Sequence, residues 1–228
     1  MKKINYLVAI FAAVASLTFV SCNNDSGDDS ETPQSGNDYW PTAVNNVWHY
    51  EDADHNPIET KIVSTQSIDG KTYYKFEPQS ANGVSNNNFL RKINGAYYLR
   101  TSEATIDFGG LTGTQTGFEF IVLKDNVAVD GTWSGSYDQT TNYTGYPAIE
   151  QSTNYTGTIL AKDVTETVNG VTYTNIIKLN IYQETSSSGS LSIANTEYWF
   201  AKDVGLIWSK IYTGSGISTS TLVNYTLF

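Results

Sequence analysis

The sequence predicts an all-β protein, and three observations support that class. The chain is rich in tyrosine and glycine, with 16 Tyr and 18 Gly among 228 residues, which favours strands and tight turns over helices. Short runs with alternating apolar and polar residues recur between turn dipeptides. No stretch after residue 22 keeps apolar residues at helical spacing for three turns. We expect an antiparallel meander of about twelve strands, arranged as a half-open barrel or a two-sheet sandwich.

The N-terminal residues predict export from the cytoplasm. Lys2 and Lys3 form a basic start, and residues 6–20 are apolar apart from Ser16 and Thr18. This run is shorter than the roughly twenty residues that a membrane-spanning helix needs. A basic start, a short apolar core and small residues near its end are typical of a secretory signal peptide. We therefore assign residues 1–21 to a signal peptide.

The only cysteine lies directly after this segment. Phe19-Val20-Ser21-Cys22 resembles the lipobox of bacterial lipoproteins, although leucine is usual where Phe19 stands. The resemblance implies cleavage before Cys22 and attachment of acyl chains such as palmitate to Cys22, which then partitions into a membrane. The alternative is a soluble secreted protein with an incidental cysteine. A lone cysteine has no disulfide partner within the chain, which favours lipidation.

Residues 22–38 predict a tether. The segment is rich in Ser, Gly and Asp, carries no basic residue and has almost nothing to bury, so we expect it to be disordered. Acidic residues just after the lipid-bearing cysteine also resemble the surface-export signal of Bacteroidota-type lipoproteins. That resemblance implies an outer-membrane protein that faces the cell exterior; the alternative is a solvated spacer. The acidic residues are Asp25, Asp28, Asp29, Glu31 and Asp38.

The charge of the chain excludes one class of partner. Cleavage before Cys22 removes two of the 13 basic residues and none of the 23 acidic ones, which leaves a formal net charge of −12. A surface with this average charge repels nucleic acid and anionic membrane faces. We expect no nucleic-acid partner.

Residues 39–228 form the predicted β domain. Five dipeptides can supply the positive φ angles of two-residue hairpin turns. Between them, the alternation of apolar and polar residues indicates which side chains face the core. Ile177, Leu179 and Ile181 are expected to face inward. Lys178 and Asn180 are expected to face outward. The five dipeptides are Asp69-Gly70, Asn82-Gly83, Asn94-Gly95, Asp130-Gly131 and Asn169-Gly170.

A weak internal repeat suggests two related halves. Residues 67–73 are similar to residues 167–173, and residues 97–99 are similar to residues 198–200. Two halves built from hairpins could close one barrel or face each other as a sandwich. The alternative is that unrelated hairpin sequences resemble one another.

Two segments resemble a known group of proteins. Residues 39–50, which begin Tyr-Trp-Pro, and residues 197–207 are similar to segments of secreted bacterial lipoproteins of unknown function that carry one all-β domain. The similarity extends over residues 39–212. It implies a fold and a location, and it offers no catalytic residue to carry over.

Residue types that support catalysis are scarce. The cysteine is assigned to lipidation, and no Gly-x-Ser-x-Gly motif occurs. His49 and His55 are the only histidines and have no neighbouring acid pattern, which argues against zinc. A pair of hydrolytic carboxylates would be spatial rather than local, so the sequence neither identifies nor excludes one. We predict a protein that is not an enzyme and that needs no cofactor.

Asp52, Asp54 and Asn56 are the best candidates for a calcium site, because alternate oxygen side chains can converge on one ion. However, Pro57 stands where an EF-hand loop needs glycine, and Val63 stands where it needs glutamate. The same residue types are those that a hairpin turn favours. The turn is the competing interpretation.

A repeated pentapeptide gives the candidate binding residues. Thr-Asn-Tyr-Thr-Gly occurs at residues 141–145 and again at residues 153–157. If the copies pair as a hairpin, Tyr143, Tyr155 and the intervening Tyr146 would line an exposed ribbon suited to a sugar or a protein partner. The alternative is that cross-strand Tyr and Thr pairs only stabilise a long hairpin.

These observations favour a lipid-anchored outer-membrane module that binds a polysaccharide or a surface protein. The alternative is a periplasm-facing carrier that holds an apolar ligand. A carrier predicts a cavity lined by Ile, Leu and Phe, and a tightly filled core would argue against it, whereas a binding module would use exposed Tyr and Trp side chains.

Overall fold

The computed structural model describes residues 38–81 and 83–228. The predictions for the signal peptide, for Cys22 and for the tether before Asp38 lie outside these residues. Within them the chain forms sixteen β-strands and no helix. The described part of the chain accordingly contains no apolar helix of membrane-spanning length.

The strands are all antiparallel to their neighbours and are labelled in chain order. They are β1 (Val47–Asp52), β2 (Pro57–Ile68), β3 (Lys71–Phe76), β4 (Gln79–Ala81), β5 (Val84–Asn86), β6 (Asn88–Ile93), β7 (Ala96–Thr101), β8 (Ala104–Phe108), β9 (Leu111–Gln115), β10 (Glu119–Lys124), β11 (Thr132–Tyr143), β12 (Ile149–Val168), β13 (Val171–Ser187), β14 (Ser190–Ala201), β15 (Gly205–Thr213) and β16 (Gly216–Thr226).

The strands form one open sheet in the order β10-β7-β6-β3-β2-β1-β16-β15-β14-β13-β12-β11-β9-β8-β5-β4. The sheet curls until β10 lies against β11 and β12. We call β11 to β16 the first wall and β3, β6, β7 and β10 the second wall. β2 turns the corner between them, because it pairs with β1 up to Lys61 and with β3 from Ile62, where a bulge shifts the register.

The core lies between the two walls and is filled by large aromatic side chains. The Trp40 ring lies 6.0 Å from Phe76 on β3 and 5.3 Å from Phe200 on β14, measured between ring centroids. Trp48 is fully buried and donates its indole hydrogen to the Val204 carbonyl at 2.6 Å. Aromatic burial of this extent supplies much of the hydrophobic stabilisation of a domain without disulfides.

The predicted fold class is confirmed, and so is part of the local pattern from which it was predicted. Three of the five dipeptides form two-residue hairpin turns, with positive φ angles at Asp69, Asn94 and Asn169 and at the glycines that follow them. Ile177 and Ile181 are buried, as their alternation predicts. Of the two predicted architectures, a half-open barrel describes the curled sheet.

Two details of the prediction were wrong. The strand count is sixteen rather than about twelve, because four strands of three to five residues, β4, β5, β8 and β9, are too short to show a period. Asp130-Gly131 does not form a hairpin, since β10 and β11 share no main-chain ladder; Asp130 N–H instead donates to the Ile159 carbonyl at 2.9 Å. The Asn82 part of the remaining dipeptide lies outside the described residues.

The edge of the sheet at β10 is closed by side chains. Ile121 N–H donates to the Tyr155 hydroxyl at 3.2 Å, and the Trp133 indole donates to the Ile121 carbonyl at 2.9 Å. Both polar groups of the Ile121 main chain are therefore satisfied without a neighbouring strand. We call this contact of β10 with β11 and β12 the seam.

Candidate functional site

The ribbon of exposed tyrosines predicted from the pentapeptide does not form. Tyr143 and Tyr155 are each only 6% exposed, whereas Tyr146 at the β11–β12 turn is 65% exposed. Tyr155 is opposite Gly135, and Tyr143 is opposite Gly113 on β9, so the two copies do not pair with each other. The physical reason is parity, because both tyrosines lie at odd-numbered positions of strands whose odd-numbered side chains face the core.

The Asp52 segment forms a hairpin turn. Asp52 Oδ1 accepts hydrogen bonds from the main-chain N–H groups of Asp54 and Asn56, at 2.8 and 2.9 Å, and Asp52 Oδ2 accepts one from the Asn56 side chain at 2.8 Å. These bonds, the Asn56 side-chain bond most of all, lower the pKa of Asp52. Both carboxylate oxygens therefore have partners within the turn.

The two histidines lie beside carboxylates on the outside of this hairpin. His49 Nδ1 is 3.4 Å from Glu59 Oε2, and His55 Nδ1 is 3.1 Å from Glu51 Oε2. The hydrogen bond to Glu51 raises the pKa of His55 above its ordinary value. Within the described ranges, no three His, Cys, Asp or Glu side chains are grouped so as to hold a metal ion.

A small cavity between the two walls tests the alternative that the protein carries an apolar ligand. Its volume is about 30 Å³, and Tyr50, Leu99 and Tyr198 contribute to its lining. That volume has room for about two water molecules. It is far too small for an acyl chain, so it does not provide the cavity that a lipid carrier needs.

Four exposed or half-buried aromatic side chains lie together on the outer surface of β13 to β16, which we call the aromatic face. Its first row, the tyrosine row, runs straight across four strands through Tyr182, Asn195, Tyr212 and Ile217. The two tyrosines are 37% and 38% exposed and Ile217 is 63% exposed. Asn195 Oδ1, between the tyrosines, is buried and accepts no hydrogen bond from the described residues.

The next row towards the other end of the strands is polar. It consists of Asn180, Glu197, Lys210 and Thr219, which are paired across the same four strands. We call it the polar row. The Lys210 ammonium lies 4.9 Å from the ring centroid of Tyr212 in the tyrosine row. Amide, carboxylate, ammonium and hydroxyl groups are thus presented side by side.

In the third row a lysine ammonium group packs on the first of two neighbouring indole rings. We call it the tryptophan row. It runs through Lys178, Trp199, Trp208 and Thr221. Lys178 Nζ lies 3.6 Å from the Trp199 ring centroid, and the two indole centroids are 4.6 Å apart. One side of Trp208 is therefore covered by Trp199, while its other side faces the small side chain of Thr221.

The spacing of these rows follows from strand geometry. Side chains two residues apart on a strand are separated by about 7 Å, and neighbouring strands by about 4.8 Å. The polar row is therefore flanked on both sides, within about 7 Å, by aromatic rings. Such an arrangement can hold an extended ligand that has both apolar ring faces and hydroxyl groups.

Sequence reasoning missed this face, although a signal was present. Trp199 lies between Tyr198 and Phe200, which the alternation assigns to the core, so the same alternation assigns Trp199 to the outer surface. Trp208 and Tyr212 likewise occupy outward positions of β15. Aromatic residues on the polar side of an alternating strand are the signal that identifies an exposed aromatic surface.

Comparison with known proteins assigns no family. No family model matches the sequence, and no curated protein matches it. A crystal structure of a "putative lipoprotein" from Parabacteroides distasonis has a TM-score of 0.45 and 11% identity, and the match covers 85% of this chain and 100% of that one. A "putative exported protein with YmcC-like fold" from Bacteroides fragilis has a TM-score of 0.44 and 10% identity, over 82% of this chain and 98% of that one. At these identities the ligand must be inferred from the residues of this chain.

Proposed function

We propose that this protein is a lipoprotein of the outer membrane, anchored through Cys22, which binds a polysaccharide on its aromatic face without catalysing a reaction. The observation that carries the proposal is the polar row enclosed between the tyrosine and tryptophan rows on a solvent-exposed sheet surface.

The chemistry of the aromatic face suits an uncharged sugar chain. Pyranose rings present apolar C–H faces, which pack on aromatic rings, and hydroxyl groups, which bond to amides and carboxylates. Its charges nearly cancel, because Lys178 and Lys210 stand beside Glu166, Glu184 and Glu197 on the same surface, and Lys178 is already paired with Glu166. A neutral polysaccharide is therefore the ligand class that fits best.

The attachment of the N-terminal segment supports the same proposal. Asp38, the first described residue, is fixed at one end of the barrel, where its carbonyl accepts a hydrogen bond from Asp203 N–H at 2.6 Å and its Oδ1 accepts one from the Tyr97 hydroxyl at 3.1 Å. Tyr212 follows the start of β15 by seven residues, which places it about 24 Å along the strand from that end. A chain anchored through Cys22 would thus carry the tyrosine row on the side away from the membrane.

Affinity electrophoresis tests the binding proposal. The folded domain is run through gels that contain dextran, xylan, laminarin or pullulan, with Tyr212→Ala and Trp208→Ala as variants. We expect retardation by at least one of these polymers and a loss of about tenfold or more in affinity for both variants. Tyr146→Ala is the matched control, because Tyr146 is exposed but lies outside the aromatic face. Absence of retardation, or an equal loss in the control, would overturn the proposal.

Labelling and protease treatment test the location. We expect incorporation of labelled palmitate into the wild-type chain and none into Cys22→Ala. Protease added to intact cells should digest the domain if it faces the exterior. Protection until the cells are lysed would place it in the periplasm and would contradict the exterior orientation.

A surface protein is a second candidate ligand. It is favoured by exposed apolar side chains that lie beyond the tyrosine row. Leu191 is 62% exposed and Ile193 is 45% exposed, and both lie on β14 next to that row. Leu191→Ser with Ile193→Ser separates the candidates: binding of a polysaccharide should persist in this double variant, whereas capture of a protein partner that uses these side chains should be lost.

A further inference from the structure

The outer surface of the second wall differs in character from the aromatic face. One row runs across four strands through Lys75, Phe89, Arg100 and Glu119. The neighbouring row contains Arg91, Tyr98 and Ile121, paired in the same way. Tyr73, two residues before Lys75 on β3, faces the same side. We call these residues the basic face, because the cations outnumber the carboxylates in the two rows.

The basic face is built in two layers. Tyr73 is fully buried and Phe89 is 4% exposed, although both point away from the core. The Arg100 guanidinium lies 5.9 Å from the Tyr73 ring centroid, and the Lys75 ammonium lies 6.0 Å from the Phe89 ring centroid. The aromatic rings thus form a floor that the cationic side chains cover, which fixes the cations in place and presents their charges to solvent.

The cations on this face are incompletely neutralised. Glu119 accepts the hydroxyl hydrogen of Tyr73, and Arg100 Nη1 lies 3.5 Å from Asp69 Oδ2. Among the described residues, neither Lys75 nor Arg91 lies within ion-pair distance of a carboxylate. A local excess of positive charge therefore stands on a chain whose formal net charge is −10.

We propose that the basic face binds an acidic polysaccharide, whose carboxylate or sulfate groups pair with Lys75, Arg91 and Arg100. Lys75 and Arg100 lie two strands apart, about 10 Å, and Arg91 lies on the strand between them. Cations repeated at this spacing match anionic groups repeated along a sugar chain, and guanidinium groups hold such oxyanions with two hydrogen bonds each. Tyr98 supplies an aromatic surface in the same row as Arg91.

A polymer fits this face better than a membrane surface does. The Asp69 side chain is 73% exposed beside Arg100, so it would be pressed against the anionic headgroups of a bilayer laid across the face. A sugar chain that follows the rows can avoid Asp69. The proposal differs from a neutral glycan on the first wall in its ligand, its residues and its dependence on salt.

Binding of dextran sulfate, with uncharged dextran as the matched polymer, tests the proposal. Arg91→Gln is the variant of choice, because Arg91 has no ion pair whose loss would disturb folding. We expect the wild-type domain to bind dextran sulfate at low salt and Arg91→Gln to bind it about tenfold more weakly. Lys210→Gln removes one positive charge from the aromatic face and should leave this affinity nearly unchanged.

The outcomes separate the two proposed sites. If Arg91→Gln binds dextran sulfate as tightly as the wild type, or if Lys210→Gln weakens binding equally, the basic face is not the site. Binding of anionic vesicles that depends on Arg91, without binding of dextran sulfate, would replace the polysaccharide with a membrane surface. Tyr212→Ala should leave dextran sulfate binding intact, so failure of the neutral-glycan proposal would not affect this result.

Discussion

Trp133 on β11 donates its indole hydrogen to the main-chain carbonyl of Ile121 on β10, at 2.9 Å, across the seam that lacks a main-chain ladder. Trp133 is paired with Gly157, and Tyr155 is paired with Gly135, so each aromatic residue lies opposite a glycine on the neighbouring strand. The arrangement is reciprocal across β11 and β12. It explains why this pair of strands carries glycine at positions where a strand ordinarily disfavours it.

Gly157→Ala should destabilise the domain through the seam. An added Cβ atom would lie 2.2 Å from Cε2 of the Trp133 indole, so the ring would have to leave its position over the glycine. We expect a loss of about 1–3 kcal/mol in the free energy of unfolding, measured by urea denaturation. Gly214→Ala is the matched control, because a Cβ atom there meets nothing within 4 Å. Equal stability of the two variants would show that the indole can move without cost.

Tyr155→Phe should weaken the same seam by a different route. The change removes the hydroxyl that accepts the Ile121 N–H and leaves a donor unpaired. We expect a cost of about 1–3 kcal/mol in unfolding free energy and faster amide exchange at Ile121. Tyr146→Phe removes a hydroxyl from an exposed tyrosine and should cost almost nothing. Unchanged exchange at Ile121 would contradict the role assigned to Tyr155.

Features that depend on residues adjacent in sequence were predicted correctly, whereas features that depend on contacts between distant strands were not. Asp69 and Asn169 adopt positive φ angles in two-residue turns because the turn conformation depends on residues adjacent in sequence. The burial of Tyr155 was not predicted, because it depends on which strand packs across the seam, and that strand is 34 residues away. The duplication of the two hairpins stays a prediction, since similar turns alone do not establish it.

The candidate site was likewise predictable only where it depends on residues adjacent in sequence. Alternation alone places Trp199 on the outer surface of β14, so one member of the site was within reach of the sequence. Its alignment with Trp208 and Lys178 depends on the pairing of three strands and on the bulge between Trp199 and Phe200. The register between these strands depends on the whole sheet, so it cannot be predicted from the sequence of one strand.

The half-buried ring of Tyr137 on β11 predicts sensitivity to alkali. Tyr137 stacks on Phe118 with ring centroids 4.4 Å apart, and burial raises its pKa from 10.0 to about 12. Because the folded pKa lies above the unfolded one, the contribution of Tyr137 to stability is complete below pH 10 and is lost as the pH rises towards 12. We expect the free energy of unfolding to fall over that interval, and the fall to be smaller in Tyr137→Phe. An identical pH dependence in both proteins would be evidence against this assignment.

The His55–Glu51 contact predicts a second, milder pH dependence. The side-chain hydrogen bond to Glu51 raises the pKa of His55 above 6.5, so the contact stabilises the fold below pH 6.5 and loses its effect as the pH rises through the folded pKa. NMR titration of the His55 ring should give a pKa above 6.5 in the wild type and a lower pKa in Glu51→Gln. The same titration in both proteins would mean that the contact is not populated in solution.

The contacts in the tryptophan row predict that Lys178 fixes the positions of the Trp199 and Trp208 rings. Lys178 Nζ lies 3.6 Å from the Trp199 ring centroid and 2.5 Å from Glu166 Oε1, so the cation is fixed from two sides. Lys178→Met keeps the length of the side chain but removes the charge, and we expect a loss of about 1 kcal/mol in unfolding free energy. It should also change the fluorescence of the Trp199–Trp208 pair. Lys210→Met is the matched control, because Lys210 lies beside Tyr212 rather than an indole. Fluorescence that changes equally in both variants would mean that Lys178 does not order the stack.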